Sequence, residues 1–298
     1  MANCADEADG AWLNTIKKIF VGKGDDASVI LPTSLQSEAY NMNHPQRGIC
    51  AIFNHKVFKS KLNLEERTGT DVDVQNLKSC FSRLGFDVVI YDDYSVKQMR
   101  NTLESLSKKS HTEHDCFVCC VLTHGGEGFV YGEDGRLPVK DIMKPFLGSS
   151  CLDLVGKPKI FIIQACRGTT KDKGVTVVAD TTDSDAVCKL PSHADILSCY
   201  STVADHVSWR NMGLGSWFLQ ALCKVLNEQS HNTDLLTMLT TVNRYVAVCF
   251  KSCDSENKKL CGMKQVPCVQ HTLTRLIFFE PKVTTTEQTF IVDTHSGC

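Results

Sequence analysis

The sequence predicts an α/β fold in which a mainly parallel sheet carries helices on both faces. Strand-like apolar runs alternate with amphipathic helical patterns along most of the chain, and this alternation is typical of parallel sheets with helical crossovers. The 298 residues allow one large domain or two small ones. Hydrophobic residues make up 42% of the chain and charged residues 22%, a composition that excludes collagen-like, disordered and coiled-coil chains.

Six apolar runs bounded by polar or turn-forming residues predict the strands of this sheet. They cover Gly48 to Phe53, Phe86 to Tyr91, Cys116 to Leu122, Lys159 to Gln164, Ile196 to Tyr200 and Leu273 to Phe279.

Four segments with apolar side chains at intervals of three and four residues predict helices. The first, for example, places Val74, Leu77, Phe81 and Leu84 on one face. The four helices are expected over Asp71 to Leu84, Val96 to Ser107, Ser216 to Asn227 and Asp234 to Val248.

Charge and hydropathy exclude two classes of partner. The formal net charge of −2 provides no basic field for nucleic acid. The sequence contains no signal-peptide pattern and no apolar run of the roughly 20 residues that span a bilayer. We therefore expect no nucleic-acid partner and no membrane partner, and we expect a cytoplasmic protein.

The 16 cysteines fall below the density of a disulfide scaffold in a chain of this length. In a reducing cytoplasm such residues serve as core side chains, metal ligands or nucleophiles. Cys116, Cys119 and Cys120 lie inside an apolar strand, without a second cysteine pair at zinc spacing, so they indicate core packing. We expect neither a metal nor a cofactor.

Two motifs with reactive side chains follow predicted strands. Cys166 follows the strand Lys159 to Gln164, and His124 with Gly125 follows the strand Cys116 to Leu122. Because parallel strands bring their carboxyl ends to one edge of a sheet, the thiol and the imidazole are expected to be neighbours. A histidine can convert a thiol into the attacking thiolate, and backbone N–H groups can stabilise the oxyanion that results. The pattern predicts nucleophilic catalysis.

The chain resembles the caspase family over about residues 38 to 280, and most closely its short-prodomain effector members. The signature around Cys166 is the pattern of the caspase nucleophile. A stretch from Lys264 to Cys268 also matches the entry to the family's last strand. We expect an invertebrate member. Five spaced motifs carry the resemblance, namely Arg67 to Asp73, Thr123 to Gly125, Gln164 to Gly168, Ser208 to Asn211 and Gly215 to Phe218.

The resemblance implies a catalytic site and a substrate pocket. Cys166 would be the nucleophile, His124 its base, and the amides of Gly125 and Cys166 the oxyanion hole. Arg67, Gln164 and Arg210 would line the pocket for the residue before the scissile bond. Two guanidiniums and an amide form a fork that a short carboxylate satisfies, which predicts cleavage after aspartate.

The resemblance also implies further subsites. Ser208 is expected to contact substrate, Trp209 to form the apolar second subsite, and Trp217 with Asn211 to form a fourth subsite that prefers aspartate. The expected preference is therefore Asp-x-x-Asp.

Three residues depart from the family pattern. Val207 stands where effector members usually carry an aromatic residue, so the second subsite is expected to be wider. Glu65 and Glu66 stand where small or polar residues are common. One of these two backbone carbonyls is expected to receive the second N–H of His124.

Domain boundaries follow from the same resemblance. We expect a short prodomain at 1–26, a large subunit at 27–185, a small subunit at 186–280 and a polar tail at 281–298. The linker between subunits would span about 168–191. Autoprocessing is predicted at Asp185, with Asp183 and Asp180 as alternatives, and near the N-terminus at Asp9 or Asp26.

The implied architecture is a three-layer sandwich around a six-stranded sheet, and two copies would pair into a twelve-stranded sheet. The implied function is that of an effector caspase, a zymogen that executes apoptosis. Expected partners are protein substrates with exposed Asp-x-x-Asp loops, an upstream initiator caspase and inhibitor-of-apoptosis-type proteins. The alternative is a catalytically inactive caspase relative acting as a regulator. Such relatives usually lose the Cys, the His or a pocket arginine, and this chain keeps all of them.

Overall fold

A central sheet of six strands organises the structure. A computed structural model of the chain describes residues 31–34, 36–148, 150–170, 192–211, 213–252 and 261–282. In chain order the strands are β1 (Ile49–Asn54), β2 (Asp87–Asp92), β3 (Phe117–Leu122), β4 (Gly125–Gly126), β5 (Phe129–Tyr131), β6 (Arg136–Pro138), β7 (Lys159–Gln164), β8 (Gly168–Thr170), β9 (Ile196–Tyr200), β10 (Asp205–His206), β11 (Arg210–Asn211), β12 (Gly215–Ser216) and β13 (Cys268–His271).

The strand order across the central sheet is β13, β9, β7, β3, β1, β2. All neighbouring pairs are parallel except β13 and β9, which run antiparallel. Five predicted strands agree with the observed ones to within one residue at either end. The prediction of a mainly parallel six-stranded sheet is confirmed.

The prediction of a last strand at Leu273 to Phe279 is wrong. The sixth strand of the sheet is β13, at Cys268–His271, and the predicted run makes only an isolated bridge between Leu276 and Ala39. Ile277 and Phe279 are nevertheless buried in the core, which accounts for the apolar pattern. The apolar run thus packs as extended chain without joining the sheet.

The four predicted helices are observed with ends shifted by at most two residues. Ser95 and Gln98 close a reciprocal capping box at the start of the second helix, and the Asp234 carboxylate caps the last. The helices are α1 (Thr70–Arg83), α2 (Val96–Ser107), α3 (Val139–Met143), α4 (Trp217–Gln229) and α5 (Leu235–Cys249), with single 3₁₀ turns at Ser60–Leu62, Lys144–Phe146 and Leu152–Leu154.

The helices form a layer on each face of the sheet. Along β1, Cys50 and Ile52 join one apolar cluster with α1, α4 and α5, whereas Ala51 and Phe53 join a second cluster with α2 and α3. Every residue of β1, β3 and β7 is buried, as expected for parallel strands covered on both faces. The expected three-layer sandwich is present.

Several predicted features lie outside the described residues. These are the predicted prodomain at 1–26, residues 171–191 of the predicted linker at about 168–191, and residues 283–298 of the predicted tail at 281–298. The candidate processing sites Asp9, Asp26, Asp180, Asp183 and Asp185 lie there too. Among the described residues, no helix is long and apolar enough to cross a membrane.

Candidate active site

The register of β3 and β7 places the two reactive motifs side by side. Leu122 is paired with Gln164 at the carboxyl ends of these adjacent parallel strands. His124 and Cys166 each follow two residues after this pair. Both side chains are half-buried. The sheet therefore brings a thiol and an imidazole to one edge, as the sequence predicts.

His124 is held by the loop that precedes α1. Its Nε2 lies 2.8 Å from the backbone carbonyl oxygen of Glu65. A carbonyl only accepts hydrogen bonds, so Nε2 carries the proton and Nδ1 of the neutral ring has a free lone pair. Burial lowers the pKa of His124, and the positive charges of Arg67 and Arg210 lower it further. The ring is therefore a neutral base at pH 7.

Phe58 supports the imidazole and was missed by the sequence reasoning. Its ring centroid lies 5.0 Å from that of His124, and the same ring stacks on that of buried His55 at 6.4 Å. Nothing in the local sequence distinguishes Phe58 from other isolated aromatic residues on a polar loop.

Gly125 lies against the backbone of Cys166. A Cβ added at Gly125 would stand 2.8 Å from the carbonyl oxygen of Cys166 and 2.9 Å from that of Phe129. These are backbone atoms and cannot easily move, so only glycine fits. The backbones of Gly125 and Cys166 are therefore in close contact.

The thiol of Cys166 lies in a positively charged environment. The backbone N–H of Ser208 points to its Sγ at 3.4 Å, and both Arg67 and Arg210 lie within electrostatic range. The following residue is fixed by a hydrogen bond from Arg167 N–H to the carbonyl of His206, at 3.0 Å. The sulfur therefore faces a backbone N–H donor and two guanidinium groups.

Arg67 is 1% exposed, which is rare for an arginine. Its Nη1 donates to the carbonyl of His55 at 2.8 Å and to Oγ1 of Thr70 at 2.9 Å. Burial and the charge of Arg210 lower its pKa to about 9, so the guanidinium remains charged at pH 7. Among the described residues no carboxylate is bonded to Arg67, and a buried cation of this kind is suited to receive one.

Arg210 joins Arg67 from a distant part of the chain. It lies on β11, and its Nε donates to the carbonyl of Thr68 at 2.8 Å. Burial lowers the pKa of this guanidinium as well. The structure thus brings together the two arginines that the sequence assigns to one pocket.

Gln164 and Ser208 contact each other next to Cys166. Nε2 of Gln164 donates to Oγ of Ser208 at 2.7 Å, and Oε1 is buried with no partner among the described residues. Rotation of the amide would let the Ser208 hydroxyl donate to Oε1 and would free both Nε2 protons. The pocket then offers an amide donor beside two guanidiniums.

The two tryptophans form one aromatic stack. Trp209 and Trp217 lie with ring centroids 5.9 Å apart, and Trp217 also stacks on Phe250 at 5.4 Å. Trp217 is buried, whereas Asn211 is exposed and its side-chain oxygen accepts from the N–H groups of Gly213 and Leu214. The structure therefore joins Trp217 to Trp209, and it uses the carboxamide oxygen of Asn211 in a turn.

No group of three or more potential ligand side chains that could hold a metal occurs within the described ranges. Cys116, Cys119 and Cys120 are free thiols and are completely buried in the core. Their predicted packing role is confirmed.

Comparison with known proteins gives a consistent result. The family model described as "Caspase domain" matches residues 47–278. Caspase-7 of Gallus gallus is 43% identical over 246 residues, which cover 80% of this chain and 79% of that protein. Caspase-3 of Bos taurus is 38% identical over 281 residues, which cover 94% of this chain and 100% of that protein.

Two insect proteins are also similar. Caspase drICE of Drosophila melanogaster is 39% identical over 254 residues, covering 84% of this chain and 75% of that protein. The crystal structure of caspase-1 from Spodoptera frugiperda superposes with a TM-score of 0.80 at 38% identity, covering 86% of this chain and 100% of that one. Since the family model spans most of the chain and these relatives cover at least 80% of it, the chain belongs to the caspase family and is a cysteine-type endopeptidase.

Proposed function

We propose that the protein is an effector caspase that hydrolyses peptide bonds after aspartate, with an Asp-x-x-Asp preference. The observation that carries this proposal is the convergence of Arg67, Arg210 and Gln164 beside the thiol of Cys166. The relatives named caspase-3, caspase-7 and drICE support the effector assignment.

In the first step, Nδ1 of His124 takes the proton of the Cys166 thiol. The thiolate then attacks the carbonyl carbon of the substrate aspartate and forms a carbon–sulfur bond. The negative charge that develops on the carbonyl oxygen is stabilised by the N–H groups of Gly125 and Cys166.

In the second step, the tetrahedral intermediate collapses and its carbon–nitrogen bond breaks. The imidazolium of His124 returns its proton to the leaving amine, which leaves a thioester on Cys166. His124 then removes a proton from water, the hydroxide attacks the thioester, and the acid product leaves with the thiol restored.

The pocket explains the selectivity for aspartate. A carboxylate in front of two guanidiniums and an amide makes charge-assisted hydrogen bonds that an asparagine side chain cannot replace. Asparagine would leave buried charges without a counter-charge, at a cost of several kcal/mol in order of magnitude. Glutamate is one methylene too long. Ser208, Trp209, Trp217 and Asn211 complete the proposed subsites, and Val207 leaves the second one wider.

Activation and assembly follow the family. We assign residues 1–26 to a prodomain, 27–185 to the large subunit and 186–280 to the small subunit, with cleavage after Asp185. The active form is a dimer of large and small subunit pairs. Activation by an initiator caspase, restraint by inhibitor-of-apoptosis-type proteins and action on cytoplasmic proteins during apoptosis belong to the same proposal.

The decisive experiment compares hydrolysis of the peptides Asp-Glu-Val-Asp and Asp-Glu-Val-Asn by the wild type, by Cys166→Ala and by Cys249→Ala. Cys249 is an exposed thiol on α5 and serves as the matched control. We expect the wild type and the Cys249 variant to cut only the Asp peptide, and Cys166→Ala to cut neither. Mass spectrometry of each protein tests processing at Asp185.

The alternative is an inactive caspase-like regulator. It would be supported if linker-cleaved protein cut neither peptide and yet bound an active caspase. The intact Cys166, His124, Arg67 and Arg210 favour the protease.

A further inference from the structure

A buried carboxylate next to the arginine pair has no part in the mechanism above. Asp73 lies in the first turn of α1 and is 0% exposed. Its Oδ1 accepts the backbone N–H of Ser216 at 2.8 Å, and its Oδ2 accepts the Ser216 hydroxyl at 2.6 Å. Both carboxylate oxygens are therefore bound to one residue that lies 143 positions later in the chain.

The side chain of Ser216 does not cap α4, although its position predicts that it should. It is the residue that precedes α4, where a serine side chain normally accepts a hydrogen bond from the helix. Here the side chain makes no capping hydrogen bond, and its hydroxyl donates to Asp73 instead. The preceding residue, Gly215, has a φ of +87°, and an added Cβ would lie 2.4 Å from Oδ1 of Asp73. The backbone is thus shaped around this carboxylate.

Ser216 is directly connected to one pocket arginine. It pairs with Arg210 in the antiparallel ladder between β12 and β11. A shift of Ser216 would therefore move the backbone of Arg210.

Asp73 is connected through α1 to the other pocket arginine. Thr70 begins α1, and it binds Arg67 through its side chain and through its own N–H, at 2.9 and 3.2 Å. Asp73 follows one helical turn later. The Asp73 carboxylate therefore links the segment that carries Arg67 to the segment that carries Arg210 through hydrogen bonds.

The charges around Asp73 agree with this position. Burial raises its pKa, whereas the hydrogen bonds from Ser216 and the charges of Arg67 and Arg210 lower it. Burial lowers the pKa of both arginines, and the charge of Asp73 raises it. In its ionised form Asp73 supplies a negative charge close to the two positive ones.

We propose that Asp73 is a positioning residue that fixes the spacing of Arg67 and Arg210, so that the pocket fits an aspartate side chain better than a glutamate side chain. This inference rests on the proposed cleavage after aspartate. It assigns the length selectivity of the pocket to a residue outside the substrate contacts.

The test measures kcat and KM for the peptides Asp-Glu-Val-Asp and Asp-Glu-Val-Glu with Asp73→Ala and Asp73→Leu, neither of which can accept a hydrogen bond from Ser216. Ser216→Ala keeps the backbone N–H bond to Asp73 and should change the result less. Without the hydrogen bonds between Asp73 and Ser216, Arg67 and Arg210 can adapt to the longer glutamate side chain. We expect the Asp-to-Glu ratio of kcat/KM to fall by about tenfold, the low end of what one methylene decides in a fitted pocket. The loss should lie mainly in KM for the Asp peptide, with kcat changing less.

Asp234→Ala is the matched control. The Asp234 carboxylate also accepts two hydrogen bonds at the start of a helix, from the N–H groups of Leu236 and Thr237. Its removal should lower stability without changing the ratio.

The outcomes separate the inference from the proposed function. An unchanged ratio in folded Asp73→Leu would overturn the role of Asp73 even if Asp73→Ala failed to fold, because a leucine side chain has a similar branched shape and accepts neither hydrogen bond from Ser216. If instead the wild type did not cleave after aspartate, the proposed function itself would fail.

Discussion

Nε2 of His124 and the backbone carbonyl oxygen of Glu65 are 2.8 Å apart. The resulting hydrogen bond fixes the tautomer of the catalytic imidazole and leaves Nδ1 as its basic nitrogen. The acceptor is a main-chain atom, so the orientation of the ring does not depend on the acidic side chain at this position. That side chain acts on the ring only through its charge.

The acid limb of the kcat/KM profile against pH should therefore have its midpoint below 6.5, the ordinary pKa of histidine. Only the neutral ring can take the thiol proton, and burial together with Arg67 and Arg210 lowers the pKa of His124. Activity is lost as the pH falls through this lowered pKa. The measurement is kcat/KM for the Asp peptide as a function of pH, and a midpoint above 6.5 would contradict the assignment of the base.

Glu65→Gln should move this acid limb to still lower pH. The carboxylate of Glu65 raises the pKa of His124, so removal of its charge should lower that pKa by a few tenths of a unit, in the range of an exposed charge interaction. Glu66→Gln makes the same change of charge one residue away and serves as the control. Equal shifts in both variants would show that only net charge matters.

Arg67→Lys should lower kcat/KM for the Asp peptide by about 100-fold or more, because an ammonium group cannot reproduce the fixed fork of a guanidinium. The exposed Arg83 at the end of α1 provides the same substitution outside the pocket, and Arg83→Lys should have little effect. A loss of only a few-fold in the Arg67 variant would remove this residue from the pocket.

Gly125→Ala should lower kcat by about 100-fold to 1,000-fold, the usual cost of a displaced oxyanion donor. The added methyl group would lie 2.8 Å from the carbonyl oxygen of Cys166, so the backbone has to move. Gly135 lies on the loop between β5 and β6, where an added Cβ meets only the Val96 side chain at 3.7 Å. Gly135→Ala should keep nearly full activity, and equal losses in both variants would argue against the role of Gly125.

Val266→Glu should give a monomeric and weakly active protein. Val266 is half-buried and lies just before β13, which forms one edge of the sheet and would meet its copy across a two-fold axis. A charge at that contact would be desolvated without a partner. Leu152→Glu alters a residue that is 53% exposed in a 3₁₀ turn and is the control. An intact Val266→Glu dimer in sedimentation experiments would refute this interface.

The central strands could be predicted because a strand that is buried on both faces has a nearly continuous run of apolar residues. The apolar residues of β7 form a continuous run, since helices cover it on both sides, and its predicted ends are the observed ends. A similar apolar run at Leu273 to Phe279 wrongly predicts a strand of the sheet. Ile277 and Phe279 are equally buried there, yet pairing with a neighbour depends on the path of the whole chain.

The reactive residues could be predicted because they occupy short motifs at strand ends. The supporting residues could not, because their contacts are made only by the tertiary fold. Asp73 looks like an ordinary acidic residue in the first turn of a helix, and only the fold brings Ser216 to it. Phe58 carries no local sequence signal, since its partner His124 is supplied by the end of another strand.

The pairing of β7 with β9 has a consequence for protein engineering. These strands are neighbours in the sheet, from Lys159↔Ile196 to Ile163↔Tyr200, although residues 171–191 separate β8 from the segment that leads into β9. The contacts of Arg210 with Thr68 and of Ser208 with Gln164 also join these two portions without a covalent bond. Two polypeptides that end and begin on either side of residues 171–191 should therefore reconstitute the site by fragment complementation, with no continuous backbone between them.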